Sequence, residues 1–258
     1  MVAGSKAARA PYCAGADGQS SYYMRYQPFE SEGVDPYSVR REAGIYAALQ
    51  NTEVPIPRLI ASHRAYQALL TEHVPGRADY RRIKDDADKA HIADQALAGL
   101  AKLHALDIAK LDLPGMAKHD RITTAVRAEL DIWLAMYRET GRPNALIEFG
   151  YAWLNANMPE VAAPASLVHG DAGPGNFMFQ DGQLTALIDW ELAHLGDPME
   201  DLAWFSMRSV MEPIPDFPQR MKAYEQASGT AIDKARVLYH RAFVSFRVLI
   251  IRHRNSSG

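Results

Sequence analysis

Between residues 169 and 176 the chain reads His-Gly-Asp-Ala-Gly-Pro-Gly-Asn, with three glycines and a proline in one short stretch. Neither a helix interior nor a central strand tolerates that density of glycine and proline, so the segment must be a loop. Strand-like runs flank it at 166–169 and 177–179. The second run is followed by Asp181-Gly182 and a further run at 184–188, the pattern of a hairpin. Asp189 stands at the end of that hairpin. A glycine loop followed by a returning strand can therefore bring Asp171, Asn176 and Asp189 to one end of a small β element.

Different patterns precede and follow this region. Residues 9–13, the turn Gly15-Ala-Asp-Gly18 and residues 20–26 read as strand, turn and strand. Residues 38–49 place Val39, Ala43, Tyr46 and Leu49 at helical spacing. Val54-Pro-Ile-Pro57 is extended, because each residue before a proline is pushed out of the helical region. Residues 58–62 and 67–73 read as two more strands. After Pro75-Gly76 the pattern turns helical: Ala93, Ala96, Leu97, Leu100 and Leu103 form one apolar stripe, and 123–137 and 147–158 are further helices. Asp197-Pro-Met-Glu200 reads as a helix start, with Asp197 as cap, Pro198 in the first position and Glu200 closing a capping box. The apolar run 243–251, broken by Ser245 and Arg247, reads as a buried helix or strand. The expected architecture is α+β. A small sheet part covers 1–75, ending in a hinge near 72–76, and a larger helical part covers 76–258, with a cleft between them.

Carboxylate and amide oxygens converging on one end of a hairpin are donors that magnesium prefers, and a remaining carboxylate can orient and deprotonate a hydroxyl. An aspartate, an asparagine downstream in the same loop and a second aspartate after a hairpin is the arrangement by which the kinase fold transfers phosphate. Composition limits the partners. A net charge of −3 provides no basic field for nucleic acid or a membrane surface. The single cysteine, Cys13, excludes an internal disulfide framework. No signal segment or bilayer-length apolar run is read, so a cytoplasmic location is expected.

His169-Gly-Asp…Asn176, followed by Ile188-Asp-Trp-Glu-Leu-Ala-His-Leu-Gly-Asp-Pro-Met-Glu-Asp-Leu-Ala203, closely resembles the aminoglycoside phosphotransferase and choline kinase-like superfamily. It looks most like bacterial phosphotransferases related to the kinase domain fused to some acyl-CoA dehydrogenases. The resemblance implies a protein-kinase-like two-lobed fold and transfer of the γ-phosphate of ATP to a small-molecule hydroxyl. It implies Asp171 as catalytic base, Asn176 and Asp189 as ligands of Mg2+, and Asp197 and Asp201 as braces of the catalytic loop. Tyr23-Met-Arg25 resembles the strand carrying the phosphate-binding cation, and Glu42 sits where a helix glutamate pairs with it. Leu70-Thr-Glu72-His-Val74 resembles the hinge whose backbone holds adenine. Leu103-His104 matches a helix pair beneath the catalytic loop. Ala3-Gly4-Ser5-Lys6 looks like the remainder of a nucleotide-covering loop. Against the family pattern the sheet part lacks a first strand and the helical part lacks its last helices, so an incomplete N-terminal lobe is expected. The acceptors of the family span aminoglycosides, macrolides, choline, sugars and hydroxyacyl thioesters.

Simpler readings compete at single positions. His104, beside the apolar stripe of its helix, reads as a hydrogen-bonded core histidine. Glu191 reads equally as an outer partner of the metal or as an exposed residue after a strand. Asp85-Asp86-Ala-Asp88 reads as a solvated helix start, where negative charge is favourable. The rival function is a nucleotide-binding pseudokinase or an inactive fragment. A protein acceptor is disfavoured, because Asp189 is followed by Trp-Glu rather than Phe-Gly and no Ala-Pro-Glu segment follows.

Overall fold

The computed structural model describes residues 8–14, 21–27, 36–63 and 65–256. The lone loop glycines at 4, 15 and 18, together with Ser5 and Lys6, lie outside the described residues. Strands β1 (Ala8–Ala14), β2 (Ser21–Tyr26), β3 (Leu59–His63) and β4 (Ala68–Glu72) form an antiparallel sheet in the order β1-β2-β4-β3. Helix α1 (Val39–Leu49) lies against β3 and β4. It begins where the Ser38 hydroxyl accepts the Arg41 N–H at 3.2 Å, and it buries the expected stripe of Val39, Ala43, Tyr46 and Leu49.

The rest is mostly helical: α2 (Asp86–His104), α3 (Ile122–Arg138), α4 (Ala145–Ala156), α5 (Pro198–Met211), α6 (Phe217–Ser228) and α7 (Lys234–Asn255). Two small β elements interrupt it. β5 (Ser166–Val168) pairs with β8 (His194–Gly196), and β6 (Phe177–Gln180) pairs with β7 (Gln183–Leu187). The β6–β7 turn has both central residues in the left-handed region, Asp181 at φ 51° and Gly182 at φ 74°, as the tightest hairpins require. β8 has no counterpart in the sequence reading.

Two ties join the segments flanking β3 and β4 to the hairpin. Pro55 O accepts the Leu187 N–H at 2.7 Å, and Arg77 and Phe179 exchange backbone bonds of 3.0 and 2.9 Å just after β4 ends. One apolar core surrounds α2, β5–β7 and α5, and a second packs α3, α4 and α7 through Trp133, Ile147, Phe243 and Ile250. The run 243–251 is helix, not strand. Among the described residues no helix is long and apolar enough to cross a membrane.

The expected capping box at α5 is not formed. Asp197 caps the helix, accepting the Met199 N–H at 3.0 Å, but Glu200 turns into the core and pairs with Arg247 and His194. The cause is Arg247, which interrupts the apolar run of α7 and is 1% exposed, with its guanidinium over the Phe243 and Trp133 rings. A buried cation requires carboxylates, and Glu200 and Glu129 supply them. Arg247→Ala takes from both acids the cation they share, so it is expected to lower stability by about 3–5 kcal/mol in chemical denaturation.

Asp197 joins the same interior, with Oδ2 accepting from Arg236 Nε at 2.9 Å and His240 Nε2 at 3.1 Å. Burial alone would raise its carboxyl, but His240 and Arg236 hold it down from 3.8 to about 2. Its folded value is depressed. The stability it contributes, about 2 kcal/mol, is therefore present above pH ~4 and lost as pH falls from ~4 toward ~2. Acid unfolding followed by circular dichroism should steepen in that window, and less so in Asp197→Asn.

Candidate active site

The glycine loop leaves β5 at Val168 and enters β6 at Phe177. Its first turn fits only glycine: Gly170 has φ +78°, and an added Cβ would stand 2.2 Å from the Leu192 carbonyl oxygen. α5 holds this turn from below. Asp201, fully buried, accepts the His169 N–H at 2.8 Å and the Gly170 N–H at 2.9 Å. His104 Nε2 meets the same carboxylate at 2.9 Å, and its Nδ1 meets the Tyr224 hydroxyl at 2.8 Å. His104 is thus a core histidine that anchors the loop's anchor. His169 packs its ring on Trp190 at 4.7 Å, with Nε2 2.9 Å from Ile188 O. Of the two aspartates expected to brace the loop, Asp201 reaches it. Asp197 is engaged instead with the α5 cap and with α7.

Asp171 is 4% exposed. The Asn176 amide nitrogen donates to its backbone oxygen at 2.7 Å and to its Oδ2 at 2.8 Å. That leaves the Asn176 oxygen as the atom able to face a cation. The Ile188 N–H bonds to Asn176 O at 3.0 Å, which sets Asn176 beside Asp189 across the end of the hairpin. Asp189 has φ +67°, unusual for a residue other than glycine and a mark of local strain. With oxygen donors and only one carboxylate, Asn176 and Asp189 suit an ion such as magnesium, which takes the rest of its shell from phosphate and water. Among the described residues no group of three or more His, Cys, Asp or Glu forms a closed metal cage.

From the sheet, Arg25 reaches the same point. Its Nη1 lies 3.2 Å from Glu42 Oε1 and 2.8 Å from Asp189 Oδ1, and its Nη2 pairs with Glu191. Burial disfavours its charge, but Glu42, Glu191 and Asp189 outweigh burial and hold the guanidinium above its ordinary range. The sheet, α1 and the hairpin therefore meet on one cation. Glu191 belongs to this meeting and is not a stray exposed side chain. At the connection, Glu72 turns its carboxylate out to Arg58, 3.0 Å from that residue's N–H. Among the described residues the Val74 N–H has no backbone partner.

Residues 14–238 match the phosphotransferase enzyme family. The chain belongs to that family. Acyl-CoA dehydrogenase family member 11 of Rattus norvegicus is 29% identical over 206 residues, a match covering 74% of this chain and 25% of the relative. The chain therefore aligns with about a quarter of that longer protein. The macrolide 2'-phosphotransferase MphH of Brachybacterium faecium superposes with a TM-score of 0.68 at 18% identity, covering 98% of this chain and 88% of that one. A thermostable mutant of aminoglycoside phosphotransferase APH(4)-Ia, in a ternary complex with ADP and hygromycin B, superposes at 0.62 with 16% identity, covering 92% and 82%. These likenesses establish the kinase-like two-lobed fold.

One side chain at the loop went unread in the sequence. Arg208, near the end of α5, donates from Nε to Asp171 Oδ1 at 3.1 Å and from Nη2 to Oδ2 at 2.5 Å. Burial pushes the Asp171 carboxyl up and Arg208 pulls it back, with the balance above the ordinary value. The available signal was spacing. Arg208 follows Asp201 by seven residues, two helical turns along one face.

Proposed function

We propose that this chain transfers the γ-phosphate of ATP to the hydroxyl of a small molecule, in the cleft between the sheet (residues 1–75) and the helical part (76–258). One observation carries the reading: Asp171, Asn176 and Asp189 lie together on a loop and hairpin, and Arg25 from the opposing sheet contacts Asp189. Asp171 receives the acceptor's hydroxyl proton as that oxygen bonds to the γ-phosphorus. The bond from the γ-phosphorus to the bridging oxygen breaks, and its electron pair leaves with ADP. Arg25, oriented by Glu42, neutralises phosphate charge. The backbone of Glu72 to Val74 receives adenine. Asn176 and Asp189 would hold Mg2+, which when bound screens the charge on the phosphates.

The family and the nucleotide complex of a structural neighbour support ATP as donor. The acyl-CoA dehydrogenase relatives support a hydroxyacyl-type or other metabolic alcohol as acceptor. Its contacts come from the helical part, between Ala78 and Pro159 and beyond Asp201. Labelled γ-phosphate supplied with magnesium to hydroxyacyl thioesters, aminoglycosides, macrolides, sugars and choline tests the reading. Label should move to one class with the wild type and to none with Asp171→Asn. Equal transfer by both proteins would overturn it.

A further inference from the structure

α5 holds the catalytic loop at two points on one face. Asp201 takes the N–H groups at its start, and Arg208 reaches its middle. Besides both oxygens of Asp171, Arg208 donates from Nη1 to Pro174 O at 2.9 Å, and its side chain is 17% exposed. The loop is shaped around it. An added Cβ on Gly173, at φ +132°, would lie 2.8 Å from Arg208 Cδ, and one on Gly175 would lie 3.4 Å from Nη1. A planar fork meeting a carboxylate on both oxygens fixes the plane of that carboxylate, which a point-charge ammonium cannot do. Oδ2 already accepts from Arg208 and Asn176, whereas Oδ1 accepts from Arg208 alone. Oδ1 is thus the oxygen with capacity left for an incoming hydroxyl.

We propose that Arg208 is a positioning residue for transfer: it fixes the Asp171 carboxylate so that Oδ1 faces the acceptor, and Gly173 and Gly175 are there to admit it. The proposal rests on the phosphotransferase reading above. It predicts that lysine, which keeps the charge but not the fork, fails at this position.

Two measurements on Arg208→Ala and Arg208→Lys test it. The first needs no turnover. The side-chain amide of Asn176, assigned by its loss in Asn176→Ser, is followed by nitrogen-15 NMR, because its N–H groups bond to Asp171. Both variants should shift that signal and hasten its exchange with solvent. The second is hydrolysis of Mg·ATP with water as acceptor, or transfer to an acceptor found in the screen. Roughly 10²-fold loss in kcat with unchanged KM for ATP is expected in both variants. Added guanidinium should restore part of the activity of Arg208→Ala but not of Arg208→Lys. An unmoved Asn176 amide, or kcat within about twofold of wild type, would overturn the proposal. If Arg208→Ala does not fold, Arg208→Lys carries the same test. Failure of the wild type to bind Mg·ATP would instead remove the underlying phosphotransferase reading and the proposed role with it, whereas an unmoved amide beside normal nucleotide binding removes only the role of Arg208.

Discussion

Asp171→Asn is expected to lower transfer by roughly 10²–10⁴-fold while ATP binding stays close to wild type. The amide keeps the volume of the carboxylate but cannot take a proton from a hydroxyl. Asp171 contacts Asn176 and Arg208, and neither Arg25 nor the 72–76 connection is among its partners. The substitution therefore leaves the proposed nucleotide contacts in place. It also presents N–H groups to two donors, Arg208 and Asn176, so a modest fall in melting temperature should accompany it. Steady-state transfer, calorimetric ATP binding and a thermal melt separate the effects. Loss of ATP binding from a folded variant would count against Asp171 as the base.

Asp189→Ala is expected to erase the magnesium dependence of ATP binding. Removing even an outer partner of a metal ligand costs about 10–100-fold in metal affinity, and Asp189 would be a direct ligand. Arg25 keeps Glu42 and Glu191 as partners in this variant, so its charge remains at the phosphates. Residual, metal-independent binding of ATP is the expected outcome. Binding measured across a magnesium series would decide it, and an unaltered metal dependence would exclude Asp189 from the metal site.

The parts of the molecule legible in the sequence are those written locally. Ser38 and the Val39–Leu49 stripe announced α1, and Asp181-Gly182 announced the hairpin whose turn is left-handed at both residues. The glycines of the loop announced a loop, and the spacing of Asp171, Asn176 and Asp189 placed all three at one end of the hairpin. What was not legible depends on partners distant in sequence. Glu200 looked like a capping-box acid because its true partner, Arg247, lies on the last helix. Asp197 looked like a brace of the loop but is held by Arg236 and His240. Arg208 looked like any helix arginine until Gly173 and Gly175 gave it room beside Asp171. In each case a buried charge chose its partner through tertiary packing, which no local pattern encodes.

Calorimetric titration of this chain with ATP, with and without magnesium, is the most direct test. Saturable binding that strengthens when magnesium is present is the predicted result, because Asn176 and Asp189 offer oxygen donors beside the cation at Arg25. A folded chain that binds no ATP in either condition would contradict the proposed function.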